Sequence, residues 1–106
     1  MSSHELIEAL LAQPDLCAQK DLLKASLPTS DNRLADGLKE QADRFLRVQV
    51  QRSLDMAYLL QYLGDLQGDD CNRALGLLAE ANALNLGGLG QHAGAVERYD
   101  LAATLY

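Results

Sequence analysis

The histidines and cysteines are candidates for chemistry, because their side chains supply nucleophiles, bases and metal ligands. His4 and His92 lie far apart in the sequence, and His92 has no ligand or base partner at helical spacing. Cys17 and Cys71 belong to no CxxC motif and have no histidine at ligand spacing. Nucleophilic catalysis needs a base beside the nucleophile, and a metal site needs converging ligands. These residues therefore predict neither catalysis nor a metal site, and we interpret both cysteines as small buried apolar residues.

A glycine-rich stretch near the end of the chain is a second candidate site, in this case for binding a nucleotide. Gly88-Leu89-Gly90-Gln91-His92-Ala93 fits G-x-G-x-x-A, a variant of the dinucleotide-binding fingerprint. That fingerprint needs a strand before it and an acidic residue about 20 positions after it. The preceding residues instead follow a helical period, and the sequence stops at Tyr106. A nucleotide- or small-molecule-binding enzyme domain is therefore the least favoured interpretation, and we predict no cofactor.

Charge and composition limit the fold classes and the kinds of partner that the sequence favours. The formal net charge of −6 disfavours binding to nucleic-acid phosphates, and no apolar run is long enough for a transmembrane helix. The chain has one Phe and no Trp, and its apolar residues are mostly Leu and Ala, which favours helices over strands. Without a signal-peptide pattern, the sequence predicts a cytoplasmic, non-enzymatic protein with reduced thiols and with no nucleic-acid or membrane partner.

Local signals divide the first third of the chain into two short helices. A capping-box pattern at Ser2 and Glu5 begins the first helix, which should end before Pro14. Asp15 offers a cap for the second helix, and Pro28 closes it. We expect this pair to be a lead-in that does not follow the pattern of the later helices.

Two longer helices follow the turn-forming run at residues 29–32. We predict a break at Arg47-Val48-Gln49, because one helix from residue 33 to 63 would be about 45 Å long. The fourth helix should end at Gly64, in a loop that extends to Asp69 and supplies aspartates to cap the next helix.

The last 32 residues or so are organised as a helical hairpin divided at residues 87–90. In its second half an apolar stripe recurs at steps of three and four residues: Ala95, Val96, Tyr99, Ala102, Ala103 and Tyr106. The segment from Gly90 to Ala102 resembles a tetratricopeptide (TPR) repeat, with alanines at the two close-approach positions and Tyr99 as the aromatic residue between them. With Leu63-Gly64-Asp65 read as a Gly-Asp loop, residues 33–106 look like the N-terminal end of a bacterial TPR array.

The resemblance implies an all-α domain over residues 1–106 with about six helices: a lead-in pair (1–32) and two TPR-like antiparallel hairpins (33–68 and 69–106) in a short right-handed superhelix. It also implies non-catalytic binding of a protein or peptide, as a recognition or scaffolding module at the N-terminal end of a longer protein. The alternative is a small adaptor or a homodimer formed through the apolar C-terminal helix. By the resemblance, the groove-facing positions are Leu77, Glu80, Leu84, Gly87 and Gly88.

Overall fold

The computed structural model describes residues 3–26, 33–86 and 92–105, and its regular structure there is entirely helical. The all-α prediction with about six helices is confirmed. The predictions for Pro28, for the turn at residues 29–32 and for residues 87–91 and 106 lie outside the described residues. In chain order the helices are α1 (Ser3–Leu11), α2 (Leu16–Ser26), α3 (Leu34–Phe45), α4 (Val50–Gln67), α5 (Asp70–Leu86) and α6 (His92–Leu105).

Short-range signals set the first helix boundaries. The helix α1 ends three residues before Pro14, and the backbone N–H of Gln13 closes its last turn on the carbonyl of Leu10 at 3.1 Å. Asp15 caps α2 as expected, because its Oδ1 accepts the backbone N–H of Ala18 at 2.8 Å. The predicted break near residues 47–49 is also confirmed: α3 ends at Phe45 and α4 begins at Val50.

The predicted end of α4 at Gly64 is wrong. The helix continues to Gln67 and ends at Gly68, whose φ of 64° gives the left-handed C-terminal cap. Gly64 lies inside the helix at a close approach to α5, where a Cβ atom would stand 2.7 Å from the backbone N of Arg73. Packing therefore explains this glycine. Asp69 caps α5, since its Oδ1 accepts the backbone N–H of Asn72 at 3.1 Å.

Consecutive helices pair, and the pairs stack in a row. Among the described residues, the α1–α2 pair contacts the α3–α4 pair, which contacts the α5–α6 pair, and the first pair does not reach the third. The first helices of the pairs, α1, α3 and α5, contact one another in succession. Of the second helices, α2 contacts α4, whereas the backbones of α4 and α6 stay apart. The stack is therefore wider on the side of α4 and α6.

The buried core has two parts that meet at α4 and α5. The larger part joins α1 to α5 and is built around fully buried leucines such as Leu10, Leu38 and Leu60. The smaller part joins α4, α5 and α6, and its α5 and α6 members are mostly alanines, for example Ala81 and Ala95. Small side chains let helices approach closely, which brings three helices together at one point.

Several side chains predicted to be buried are exposed. Cys17 and Cys71 both lie on the surface, so the prediction that they fill the core is wrong. On α6, Ala95 and Ala102 are buried as expected, whereas Val96 is 59% exposed, and Ala103, also predicted in the stripe, is exposed as well. The physical reason is that, among the described helices, the backbone of α6 comes close only to that of α5, so one narrow face of α6 is covered.

Candidate binding surface

A close approach of α4 and α5 at Gly76 fixes the positions of the candidate residues. A Cβ atom on Gly76 would stand 2.7 Å from the backbone N of Gln61 and 2.9 Å from the carbonyl O of Ala57. Only glycine leaves room for the two backbones at this distance. The crossing places Glu80, one turn further along α5, beside the side chain of Gln61.

A buried carboxylate joins three helices at this crossing. Glu80 is 6% exposed, and its Oε1 accepts a hydrogen bond from Gln61 Nε2 of α4 at 2.9 Å. Its Oε2 accepts one from Arg98 Nε of α6 at 3.1 Å. A buried charge is tolerated when a counter-charge and hydrogen bonds compensate for its lost hydration. The hydrogen bond to Glu80, together with its negative charge, raises the pKa of Arg98.

The same carboxylate acts on a neighbouring tyrosine. Burial raises the pKa of Tyr58, and the negative charge of Glu80 raises it further, while Arg98 acts in the opposite direction. Tyr58 also lines a surface groove of about 390 Å³ between α2 and α4. In that groove Lys20 Nζ lies 5.4 Å from the centre of the Tyr62 ring, which is within cation–π range. The groove thus offers aromatic faces and a cation to solvent.

The structure places the predicted groove residues in different surroundings. Glu80 and Leu84 are both buried, and Leu84 belongs to the cluster that α6 completes with Ala95. Leu77 is half-buried. Gly87 and Gly88 lie outside the described residues. The partner-binding role of these five residues stays a prediction.

A different face of α5 turns toward solvent. Leu78 follows the buried Gly76 by two residues, or about 200° of helix rotation, so it lies on the opposite side of α5 from α4. Leu78 and Asn82 are half-buried one turn apart, and Asn82 Oδ1 accepts a hydrogen bond from Tyr99 of α6 at 2.6 Å. Neither residue was among the groove-facing positions predicted from the sequence. Their one-turn spacing on the side away from Gly76 was the signal that could have found them.

Among the described ranges, no group of three or more His, Cys, Asp or Glu side chains converges as a metal site would require. None of the described helices combines the length and the apolar character that crossing a membrane needs.

Comparisons with known proteins give no match. No protein-family model, curated protein or solved structure matches this chain. The resemblance to TPR repeats therefore stays a prediction from its residues.

Proposed function

We propose that this chain is a TPR-like helical-repeat module that binds a protein or peptide and catalyses no reaction. One observation carries the proposal: α1, α3 and α5 contact one another in succession, whereas α4 and α6 are separated. Between the second and third pairs the stack is therefore tighter on the side of α3 and α5, and it curves toward that side. The inner face there is formed by α3 and α5, and such faces of helical repeats hold extended or helical segments of partners.

On the inner face, α5 offers an apolar contact and amide hydrogen-bonding groups side by side. Leu78 would contact an apolar side chain of the partner, and the Asn82 amide, held by the Tyr99 hydroxyl at 2.6 Å, would bond to a backbone group. Glu80 and Leu84 stabilise the position of α5, because Glu80 bonds to α4 and α6 and Leu84 packs in the cluster that these helices share.

A peptide library displayed on phage and selected against the folded chain tests the proposal. Peptides selected in this way should bind a Leu78→Lys variant at least about tenfold more weakly, because burial of a leucine is worth about 1.5–3 kcal/mol. The matched control is Val48→Lys, at a side chain that is 76% exposed in the α3–α4 connection. Recovery of no binding peptide, or equal loss in both variants, would refute the proposed face.

A homodimer is the second candidate, and the exposed apolar side chains of α6 favour it. Val96 is 59% exposed and Leu101 is 46% exposed. A second copy could cover them by packing along α6. Light scattering of the chain over a range of concentrations should then give a dimer mass that a Val96→Lys, Leu101→Lys double variant returns to a monomer. A mass that stays monomeric at every concentration rejects this candidate.

The cytoplasmic location is part of the proposal. Cys17 and Cys71 are free and exposed, and such thiols persist in a reducing compartment. Alkylation of the protein directly in lysed cells should modify both thiols. A disulfide-linked form isolated under the same conditions would contradict the location.

A further inference from the structure

A buried amide on α2 has one half of its hydrogen-bonding capacity unused. Gln19 is 6% exposed, and its Nε2 donates to the carbonyl of Leu10, near the end of α1, at 3.0 Å. This bond fixes the orientation of the amide, because a flip would set two acceptor oxygens against each other. Gln19 Oε1 is buried and accepts no hydrogen bond from the described residues. A buried acceptor of this kind calls for an N–H or O–H donor.

Gln19 lines a small pocket between the α1–α2 connection and α4. Its volume is about 70 Å³. A water molecule takes up about 30 Å³ in the liquid, and sites for whole small molecules have about 300–1,000 Å³. The pocket therefore fits a chemical group of a few atoms, such as the tip of one side chain.

The charges around the pocket select a cation. Asp15 and Asp55 both line it. Asp15 Oδ1 caps α2, and Asp55 Oδ1 accepts from Gln51 Nε2 at 3.3 Å, so each carboxylate keeps a second oxygen that has no partner among the described residues. Arg52 also lines the pocket, but its guanidinium carbon lies 5.6 Å from the centre of the Phe45 ring, where it makes a cation–π contact. Two carboxylates against one arginine leave the lining negative.

We propose that this pocket binds a primary ammonium group, presented by a lysine side chain of the partner. An ammonium is compact and carries three N–H donors, which suits one amide oxygen and two carboxylate oxygens that come from separate segments. A guanidinium is planar and prefers paired acceptors in one plane. The net charge of −6 on the chain attracts a basic segment toward the site. Only the source of the ammonium rests on the proposed function.

Methylammonium chloride is the probe, and the full chain labelled with ¹⁵N is the sample for NMR. Increasing methylammonium should shift the Gln19 side-chain amide signals to saturation, with a dissociation constant on the order of 10 mM, the range open to a ligand of two heavy atoms. Tetramethylammonium chloride at equal ionic strength has the same charge and no N–H donor, so it should leave these signals in place. Equal shifts with both salts, or none with either, would show that the pocket holds water only and would overturn the inference.

Two matched variants place the binding in the pocket. Asp55→Asn removes one charge from the lining and should weaken methylammonium binding by about three- to tenfold, whereas Asp21→Asn removes one charge from the exposed side of α2 and should leave it unchanged. Equal effects of the two variants would mean general charge attraction and would overturn the inference. If methylammonium fails to bind while selected peptides still bind, the pocket is refuted and the proposed function stands. If methylammonium binds but no peptide is selected, the pocket stands and the proposed function is refuted.

Discussion

Substitution of Gly76 by alanine sets two effects of opposite sign against each other. In an isolated helix the change stabilises by about 1 kcal/mol, because alanine has the higher helix propensity. In this protein the added Cβ would stand 2.6 Å from Gln61 Cγ, 2.7 Å from Gln61 N and 2.9 Å from the Ala57 carbonyl O. Two of these three atoms belong to the backbone of α4, so a side-chain rotation cannot relieve the contact.

The magnitude follows from the distances. To reach ordinary van der Waals separation, α4 and α5 must move apart by most of an ångström, and overpacking of this kind costs about 1–3 kcal/mol. We expect the upper part of that range, because the shift also pulls Gln61 from Glu80, to which it donates at 2.9 Å. After the gain in propensity is subtracted, the net loss of unfolding free energy is about 2 kcal/mol.

Urea unfolding followed by circular dichroism measures this loss. For a chain of this size the midpoint should fall by about 1 M in Gly76→Ala. Gly94→Ala on α6 is the matched control, since its new Cβ would meet only Leu84 Cδ1 at 3.5 Å, an ordinary contact. That variant should be more stable than the original chain by about 0.5–1 kcal/mol. A midpoint that is unchanged or raised in Gly76→Ala would refute the close crossing of α4 and α5.

The remaining predictions concern the interactions of Glu80 and the N-terminal cap of α5. Glu80→Gln should lower the pKa of Tyr58 toward 10.0 without reaching it, because burial is the larger cause of the raised pKa. Titration of the tyrosinate absorbance, with Tyr58→Phe as the reference, measures this pKa. Since the folded pKa of Tyr58 is raised, its contribution to stability is complete below pH 10.0 and is lost as the pH rises through the folded value. Arg98→Met should lower the unfolding free energy by about 1–2 kcal/mol, because Glu80 would remain buried without its cation, and a neutral result in urea unfolding would show that Glu80 relaxes into water. Asp69→Ala should lower the unfolding free energy by about 1 kcal/mol, whereas Asp69→Asn should lower it much less, because asparagine can also accept the backbone N–H of Asn72. Equal losses of unfolding free energy in the two variants would contradict the capping role.

Boundaries that depend on neighbouring residues were predictable from the sequence. Pro14 limits α1 and Asp15 caps α2 through contacts within three residues, and the end of α3 could be predicted from the length that a single helix would otherwise reach. The signals at Pro14 and Asp15 act within one turn of the chain, so they operate in the same way in the sequence and in the folded protein.

Gly64 shows where this reasoning fails. A glycine after an apolar run is typical of a helix end, but the same residue also serves where two helices cross closely. Which role applies depends on α5, whose Arg73 backbone N would contact the Cβ of any other residue at position 64. The true cap, Gly68, has the left-handed φ of 64° that ends the helix, and a Cβ atom there would meet nothing within 4 Å.

The burial of Glu80 could not be predicted from the sequence, for a related reason. Its place among the groove-facing positions came from the resemblance to TPR repeats, and a glutamate on a helix is usually solvated. Its partners Gln61 and Arg98 lie 19 and 18 residues away in the sequence. No local pattern links them, because the compensation of a buried charge is decided by how three helices assemble.

The two surface thiols give access to the shape of the stack in solution. Cys17 lies in the first turn of α2 and Cys71 in the first turn of α5, so one is in the first helix pair and the other in the third, and these pairs do not touch. The sequence contains no other cysteine. With a nitroxide spin label on each thiol, electron paramagnetic resonance can measure the distance between the two labels without any substitution in the chain. The width of the measured distance distribution would report directly how stiffly the middle pair joins its two neighbours.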